Sequence, residues 1–241
     1  MIICANFAKK VNLNDIFKKA SEIGFKNIQF SLVHFGINDD NPEIDDSFLD
    51  KAKEIKQNAM RFGISFPVIH GWLPSEYSSA KRTFDIYSGI LRILGSKYIV
   101  FHPKSLEHLR TIIKCINDSS DKNVYLIENV AEENFMMKYD DIDLISKNNI
   151  NMCFDTCHAL ENGLDVYEYL EKYKKSIRMM HLSDFDGVTR HAVIGLSKIT
   201  PEFVNKIPKD MIIVFEHKAK TVEDYTKAYS ESFKYLNKIL M

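Results

Sequence analysis

Short runs of apolar residues alternate along the chain with longer segments in which apolar residues recur every three or four positions. Most of the short runs are continuously apolar, which is typical of strands buried on both faces of a sheet. The longer segments have the period of amphipathic helices. The pattern predicts eight strands, at Ile2–Ala5, Asn27–Ser31, Ser65–His70, Lys97–His102, Asn123–Glu128, Asn151–Asp155, Ile177–Leu182 and Met211–Glu216.

Four of the longer segments have clear helical periodicity. They are Asn14–Ile23, Ser47–Phe62, Ser75–Leu94 and Thr221–Leu240. Thr221 is a candidate N-cap of the last helix, because a threonine hydroxyl accepts a hydrogen bond from a backbone N–H of the first turn. Asp224 lies three residues later and adds negative charge that favours the start of a helix.

Three of the predicted helices end at a glycine shortly before the next strand. These glycines are Gly24, Gly63 and Gly95, and glycine readily adopts the left-handed conformation that closes a helix. The helix–glycine–strand unit recurs at a spacing of roughly 30 residues, the size of a βα repeat. Eight such units predict a single (β/α)8 barrel, a TIM barrel, that spans residues 1–241 as one domain. An open doubly wound sheet is the alternative, but no glycine-rich phosphate loop follows the first strand.

Composition and charge narrow the choice of partner and compartment. The 241 residues carry a net charge of −1, so the chain as a whole has no electrostatic attraction for nucleic acid. No apolar run approaches the roughly 18 residues that span a bilayer, and no signal-peptide pattern is present, so no membrane partner is expected. The cysteines lack C-x-x-C spacing and predict reduced, buried thiols in a cytoplasmic protein. They are Cys4, Cys115, Cys153 and Cys157.

The last residues of the predicted strands indicate where a functional site lies. Six consecutive strands have a histidine or a carboxylate at or next to their last residue: His70, His102, Glu128, Asp155, His181 and Glu216. In a (β/α)8 barrel the carboxyl ends of all strands meet on one face, and burying so many carboxylates and imidazoles together is costly unless a cation neutralises them. Any one of these residues alone would more often cap a helix or form an ordinary hydrogen bond. As a series they predict a divalent-metal site for zinc or manganese, with magnesium or cobalt as alternatives.

These strand ends lie within motifs that resemble the xylose isomerase-like TIM-barrel superfamily, which includes sugar isomerases and epimerases and also endonuclease IV. The matching segments run from residue 66 to residue 218 in the family order. They are FPVIHG, YIVFHP, YLIENV, MCFDTCHA, MMHLSDFDG, RHAVIG and IVFEHK. The resemblance implies a metal-dependent enzyme, and two branches of the superfamily imply different activities.

Resemblance to the epimerase branch implies one metal held by a Glu, an Asp, a His and a second Glu. The corresponding residues here are Glu128, Asp155, His181 and Glu216. The two glutamates would be the catalytic acid–base pair that moves a proton next to a carbonyl, while the metal polarises that carbonyl. His158 and Arg190 would bind substrate hydroxyls or a phosphate. Trp72 lies just past a strand end, where it either stacks on a substrate ring or packs over the barrel mouth.

Resemblance to endonuclease IV implies a cluster of three zinc ions instead. The first would be held by His70, His102 and Glu128, the second by the same four residues as in the epimerases, and the third by His158 and His191. The third zinc of the family has a further aspartate ligand, and the chain has Thr189 at that position. A neutral hydroxyl is a poorer zinc ligand than a carboxylate, so the sequence departs from the nuclease pattern here.

The sequence favours a divalent-metal-dependent isomerase or epimerase that acts on a sugar or sugar phosphate. The connection between His181 and His191 is short, and the segment GWLPSEY after His70 differs from the corresponding nuclease segment. The alternative is an abasic-site endonuclease or related phosphodiesterase that acts on DNA, which the presence of both His70 and His102 favours. Relatives of the first kind often form homo-oligomers, so self-association is an open expectation.

Overall fold

Eight parallel strands form a closed barrel in the part of the chain that the computed structural model describes, which comprises residues 1–6, 12–35, 37, 42, 44–219 and 221–240. The barrel strands are β1 (Ile2–Ala5), β2 (Asn27–Ser31), β3 (Ser65–Gly71), β4 (Tyr98–Phe101), β5 (Tyr125–Glu128), β6 (Asn151–Asp155), β7 (Ile177–Leu182) and β8 (Ile212–Phe215). Each strand pairs in parallel with its neighbours, and pairing of β1 with β8 closes the barrel. The predicted TIM barrel is therefore confirmed, and each predicted strand lies within two residues of its observed bounds.

Helices connect the strands, as the alternating pattern predicts. They are α1 (Leu13–Glu22), α2 (Ser47–Met60), α3 (Tyr77–Leu94), α4 (Leu106–Asn117), α5 (Tyr139–Lys147), α6 (Thr156–Glu161), α7 (Val166–Tyr173), α8 (Pro201–Lys206) and α9 (Val222–Leu240). A short hairpin follows β5 and pairs Ala131–Glu132 with Phe135–Met136. The Thr221 hydroxyl accepts a hydrogen bond from the Asp224 backbone N–H at 3.1 Å, which confirms the predicted N-cap.

The glycines at the helix ends have the backbone conformation that the sequence predicts. The φ angles are +87° at Gly24, +67° at Gly63 and +72° at Gly95. These values lie in the left-handed region, which is strained for a residue with a Cβ atom. Each glycine therefore lets a helix turn back into the following strand within a few residues, which gives the βα repeat its short length.

The barrel interior is a small apolar core, separate from the larger core between strands and helices. It contains Cys4, Val68, Tyr98, Val100, Leu126, Cys153, Met179, Ile212 and Val214. Side chains along a strand alternate between its two faces. The residue two positions after the last of these interior residues on a strand therefore also faces the interior, at the carboxyl end of the strand. Those later positions on six strands are occupied by His70, His102, Glu128, Asp155, His181 and Glu216. The strand pleat thus turns all six predicted side chains toward one mouth.

The cysteines and the helices also agree with the sequence analysis. All four cysteines are free and buried, which confirms the predicted buried thiols. None of the helices in the described ranges combines the length and the apolar character needed to cross a bilayer.

We expect Leu126→Ala to destabilise the fold by about 2–5 kcal/mol, because it opens a cavity in the closely packed barrel interior. Leu126 is fully buried there. The free energy of unfolding is measured by urea denaturation monitored by circular dichroism. Leu196→Ala is the matched control, since Leu196 is 68% exposed and its truncation removes little packing. Equal losses in the two variants would contradict the assignment of Leu126 to a packed core.

Candidate metal centre

Four strand-end side chains converge on one point at the mouth of the barrel. They are Glu128, Asp155, His181 and Glu216. One potential ligand atom from each lies within 4.8 Å of those of the other three. Glu128, Asp155 and His181 are almost completely inaccessible to solvent, whereas the Glu216 side chain retains 24% exposure. The group is therefore a deep cluster that is reached from the pocket above it.

The Nδ1 atom of His181 lies at the centre of this cluster. It is 2.8 Å from Glu128 Oε1, 2.7 Å from Glu216 Oε2 and 3.7 Å from Asp155 Oδ2. A single ring N–H satisfies only one acceptor, and Asp155 Oδ2 is buried without a hydrogen-bond partner among the described residues. A buried carboxylate oxygen without a partner is strongly unfavourable. Three carboxylates and one imidazole nitrogen around one point fit a divalent cation.

A buried glutamine on β2 orients the histidine of this cluster. Gln29 Oε1 lies 2.8 Å from His181 Nε2, so that the ring donates its Nε2–H to the amide oxygen. This bond directs the other ring nitrogen, Nδ1, toward the carboxylates. A histidine ligand that donates its second N–H to a fixed acceptor is a general feature of metal sites. Glu216 is held similarly, since Asn6 Nδ2 donates to its Oε1 at 3.2 Å.

Asn129 joins the carboxyl ends of β5 and β6. Its side chain donates to the Asp155 carbonyl oxygen and accepts from the Asp155 backbone N–H, both at 2.8 Å. Its own carbonyl oxygen accepts from His158 Nδ1 at 3.0 Å, and the His158 backbone N–H donates to Asp155 Oδ1 at 2.7 Å. Asn129 thereby sets the position of one carboxylate of the cluster and the ring orientation of His158. Gln29, Asn6 and Asn129 are not among the site residues predicted from the sequence, although each is a polar residue in or beside a predicted strand.

Electrostatic interactions within the cluster are strong because the side chains are buried. Burial alone would raise the pKa of Glu128, but the facing His181 imidazole holds it well below the ordinary value. Burial and the charge of the neighbouring glutamates raise the pKa of Asp155 to about 7. Burial alone would lower the pKa of His181, but the acidic groups around it hold it well above the ordinary value. The protein alone thus balances its carboxylates with protons, which a bound cation would displace.

The other predicted site residues line a pocket of about 240 Å³ above the cluster. It is formed by His70, Trp72, His102, Glu128, Glu132, His158, Arg190, His191, Glu216 and Lys218. His70 Nε2 is 3.2 Å from Glu128 Oε2, and the His70 and Trp72 rings pack with centroids 4.8 Å apart. Burial lowers the pKa of both His102 and His191 to about 3, so these imidazoles are neutral and keep a lone pair for ligation. Every residue predicted from the strand-end pattern or the resemblance therefore lies in the cluster or in this pocket.

His191 and Arg190 lie on the connection between β7 and α8. The His191 φ angle is +52°, a strained value for a residue with a side chain, and its Nδ1 lies 3.1 Å from Ser183 Oγ. The His191 ring lies beside that of His158, with centroids 5.2 Å apart. Arg190 forms an ion pair between Nε and Glu161 Oε1 at 2.7 Å and donates from Nη2 to the Ala131 carbonyl oxygen. Thr189 is exposed, and its backbone N–H donates to Asp186 Oδ1.

The closed parallel barrel and the acidic cluster at its carboxyl end define a protein of the TIM-barrel class with the ligand set of a metal site. A family model described as a xylose isomerase-like TIM barrel matches residues 17–239. The chain belongs to this family, which confirms the resemblance in the sequence motifs. Members of the family are enzymes and include epimerases, isomerases and endonuclease IV.

Individual relatives fall into the same two branches. The chain is 26% identical over 231 residues to a probable endonuclease 4 of Thermoplasma acidophilum, covering 80% of this chain and 79% of the relative. It is similar in structure to a D-psicose 3-epimerase crystallised with D-fructose, with a TM-score of 0.74, 12% identity and coverage of 100% and 99% of the two chains. For the 3-keto-D-glucoside 4-epimerase of E. coli the TM-score is 0.72, with 15% identity and 99% coverage of both chains. At these identities the solved structures establish a shared fold.

We expect Gln29→Leu to weaken binding of Mn²⁺ by about 10- to 100-fold. Without the hydrogen bond to Gln29, the His181 ring is no longer held in the orientation that directs Nδ1 toward the ion. Isothermal titration calorimetry with the metal-free protein measures the dissociation constant. Gln57→Leu, an identical change at an exposed position of α2, is the control and should leave the affinity unchanged. A folded Gln29→Leu variant that binds Mn²⁺ as tightly as this control would rule out the proposed role of Gln29.

Proposed function

We propose that this protein is a divalent-metal-dependent isomerase or epimerase that acts on a sugar or sugar phosphate by proton transfer next to a carbonyl. One observation carries the proposal. Glu128 and Glu216 belong to different strand ends, yet each places a carboxylate oxygen within 2.8 Å of the same atom, His181 Nδ1. Their carboxylates thus face one shared point, as a pair of groups that removes and returns a proton must do.

The chain's own residues account for the other requirements of this reaction. A divalent ion, when bound, supplies polarisation of the substrate carbonyl and stabilises the negative charge that develops on it. Glu128 is oriented by His70 and Glu216 by Asn6, through bonds of 3.2 Å to the second oxygen of each carboxylate. In the proposed step one of the two glutamates takes the proton from carbon and the other delivers a proton. His158, Arg190 and Trp72 lie in the pocket wall. In this proposal His158 and Arg190 bind the sugar hydroxyls or a phosphate, and Trp72 stacks on the sugar ring.

The charge of the pocket supports a small substrate over a polyanion. Three carboxylates line it, those of Glu128, Glu132 and Glu216, against the fixed cations Arg190 and Lys218. One divalent ion brings this wall close to neutrality, which suits a sugar. A DNA backbone carries a regular series of negative charges and is bound through a compensating series of cations, whereas the whole chain carries a net charge of −1.

We expect Glu128→Gln and Glu216→Gln each to lower the rate of solvent proton exchange by at least about 10²-fold, because the amide can neither accept nor donate the transferred proton. The assay incubates a panel of ketoses, aldoses and their phosphates in deuterated water with the Mn²⁺-loaded protein and follows the proton beside the carbonyl by NMR. Glu133→Gln is the control, since Glu133 is exposed on the hairpin turn.

Retention of exchange in either variant would remove that glutamate from the acid–base role. The absence of exchange across the whole panel with the wild-type protein would refute the isomerase proposal.

The second candidate is an endonuclease IV-like, zinc-dependent abasic-site endonuclease, with DNA as its partner. Two observations favour it: the similarity to probable endonuclease 4 proteins and the presence of His70, His102, His158 and His191 in the same pocket. Incision of an abasic-site duplex by the zinc-loaded protein tests it. If a matched intact duplex and the abasic duplex both remain uncut, this candidate is discarded.

We further propose manganese or zinc as the metal, with magnesium or cobalt as substitutes, and a cytoplasmic location. The mixed imidazole and carboxylate donors support the choice of metal. The four free, buried thiols support a reducing compartment. Association of the barrel into a homo-oligomer remains a prediction, which the sedimentation coefficient or light scattering of the purified protein tests.

A further inference from the structure

A second group of metal-ligating side chains lies beside the four-residue cluster and shares none of its members. It consists of His102 after β4, Glu132 on the hairpin after β5, and His158 on α6. One ligand atom from each lies within 4.8 Å of the other two, and His102 Nε2 is 3.7 Å from Glu132 Oε1. Ligand atoms on one tetrahedral zinc, each about 2.0–2.1 Å from the ion, are about 3.4 Å apart. The distance between His102 and Glu132 is therefore about 0.3 Å longer than that between two ligands of one zinc ion, and the 4.8 Å limit on the distances to His158 leaves room for an ion among the three.

Each of the two histidines of this group has a ring nitrogen that can coordinate a metal ion. His158 uses Nδ1 to donate to the Asn129 carbonyl oxygen at 3.0 Å, so that the neutral ring has its lone pair on Nε2. His102 is 8% exposed, and its Nδ1 has no hydrogen-bond partner among the described residues. The rings of His102 and His158 have centroids 5.9 Å apart and planes inclined by 79°. They therefore approach the space between them from different directions, as ligands of one ion do.

The ion pair of the Glu132 carboxylate with Arg190 is long, since the Arg190 Nη2 atom is 3.9 Å from Glu132 Oε1. The guanidinium instead contacts Glu161 Oε1 and the Ala131 carbonyl oxygen, both at 2.7 Å. Glu132 is partly exposed at the pocket wall, so its side chain has room to shift by the few tenths of an ångström that coordination requires.

We propose that His102, Glu132 and His158 form a second divalent-metal site, best suited to zinc, with an open coordination position toward the pocket. Three protein ligands leave a fourth position for water or a substrate oxygen. Glu132 supplies the carboxylate that Thr189 does not supply next to His158. The site does not depend on the acid–base pair, because Glu128 and Glu216 are not among its ligands. His158, which the proposed function places beside the substrate, would here reach the substrate through the ion.

The test counts the zinc ions that the protein binds. Metal-free protein is titrated with Zn²⁺ alone, freed of excess metal by gel filtration and analysed for zinc per chain. We expect Glu132→Gln to bind one ion fewer than the wild type. Glu133→Gln changes the charge equally at the adjacent exposed residue and should bind as many ions as the wild type. His102→Gln should lose the same single ion as Glu132→Gln, and circular dichroism verifies that each variant is folded.

An unchanged zinc count in folded Glu132→Gln and His102→Gln overturns the proposal, and so does a wild-type count of one. The count is independent of turnover. If the exchange assay refutes the isomerase proposal, the zinc count is unaffected. If the zinc count refutes the second metal site, the result of the exchange assay is unaffected.

Discussion

Two buried carboxylates and a third that is partly exposed surround one imidazole nitrogen at the mouth of the barrel, and the arrangement of the mouth follows from the need to balance their charge. His181 Nδ1 lies within 3.7 Å of all three. One proton on this nitrogen cannot satisfy all three carboxylates. Neighbouring side chains hold the cluster in place through hydrogen bonds: Gln29 to the imidazole, Asn129 to the backbone of Asp155, and Asn6 to one oxygen of Glu216. Such a cluster is stable only with a cation or with shared protons, and a divalent ion fits its donors.

Barrel geometry brings these groups together. Asp155 on β6 lies opposite His181 on β7, and His181 lies opposite Val214 on β8, two residues before Glu216. Because side chains alternate along a strand, a shift of one residue in any of these pairings would turn the ligand out of the barrel. The parallel register therefore positions the metal ligands as strictly as it positions the apolar residues beneath them.

The relatives of this chain show how one scaffold carries different chemistry. The family includes epimerases and endonuclease IV, and the shared fold does not decide between them. In this chain Thr189 stands where the nuclease pattern has an aspartate, while Glu132 adds a carboxylate from the hairpin after β5. The pocket wall of this chain therefore differs from the nuclease pattern that its motifs resemble.

The barrel and the residues at its mouth can be predicted from the amino-acid sequence alone, because both depend on local patterns. Continuous apolar runs and glycines such as Gly95 mark the βα repeats, and the strand period of two carries Glu128 and Asp155 to the same end. The residues that hold the cluster in place, and the ligand atoms that come together, are visible only in the folded structure. Gln29 contacts His181, 152 residues away in the chain, and Glu132 on the hairpin after β5 faces His102 at the end of β4. These contacts depend on strand order, tilt and loop path, and no periodicity in the sequence encodes them.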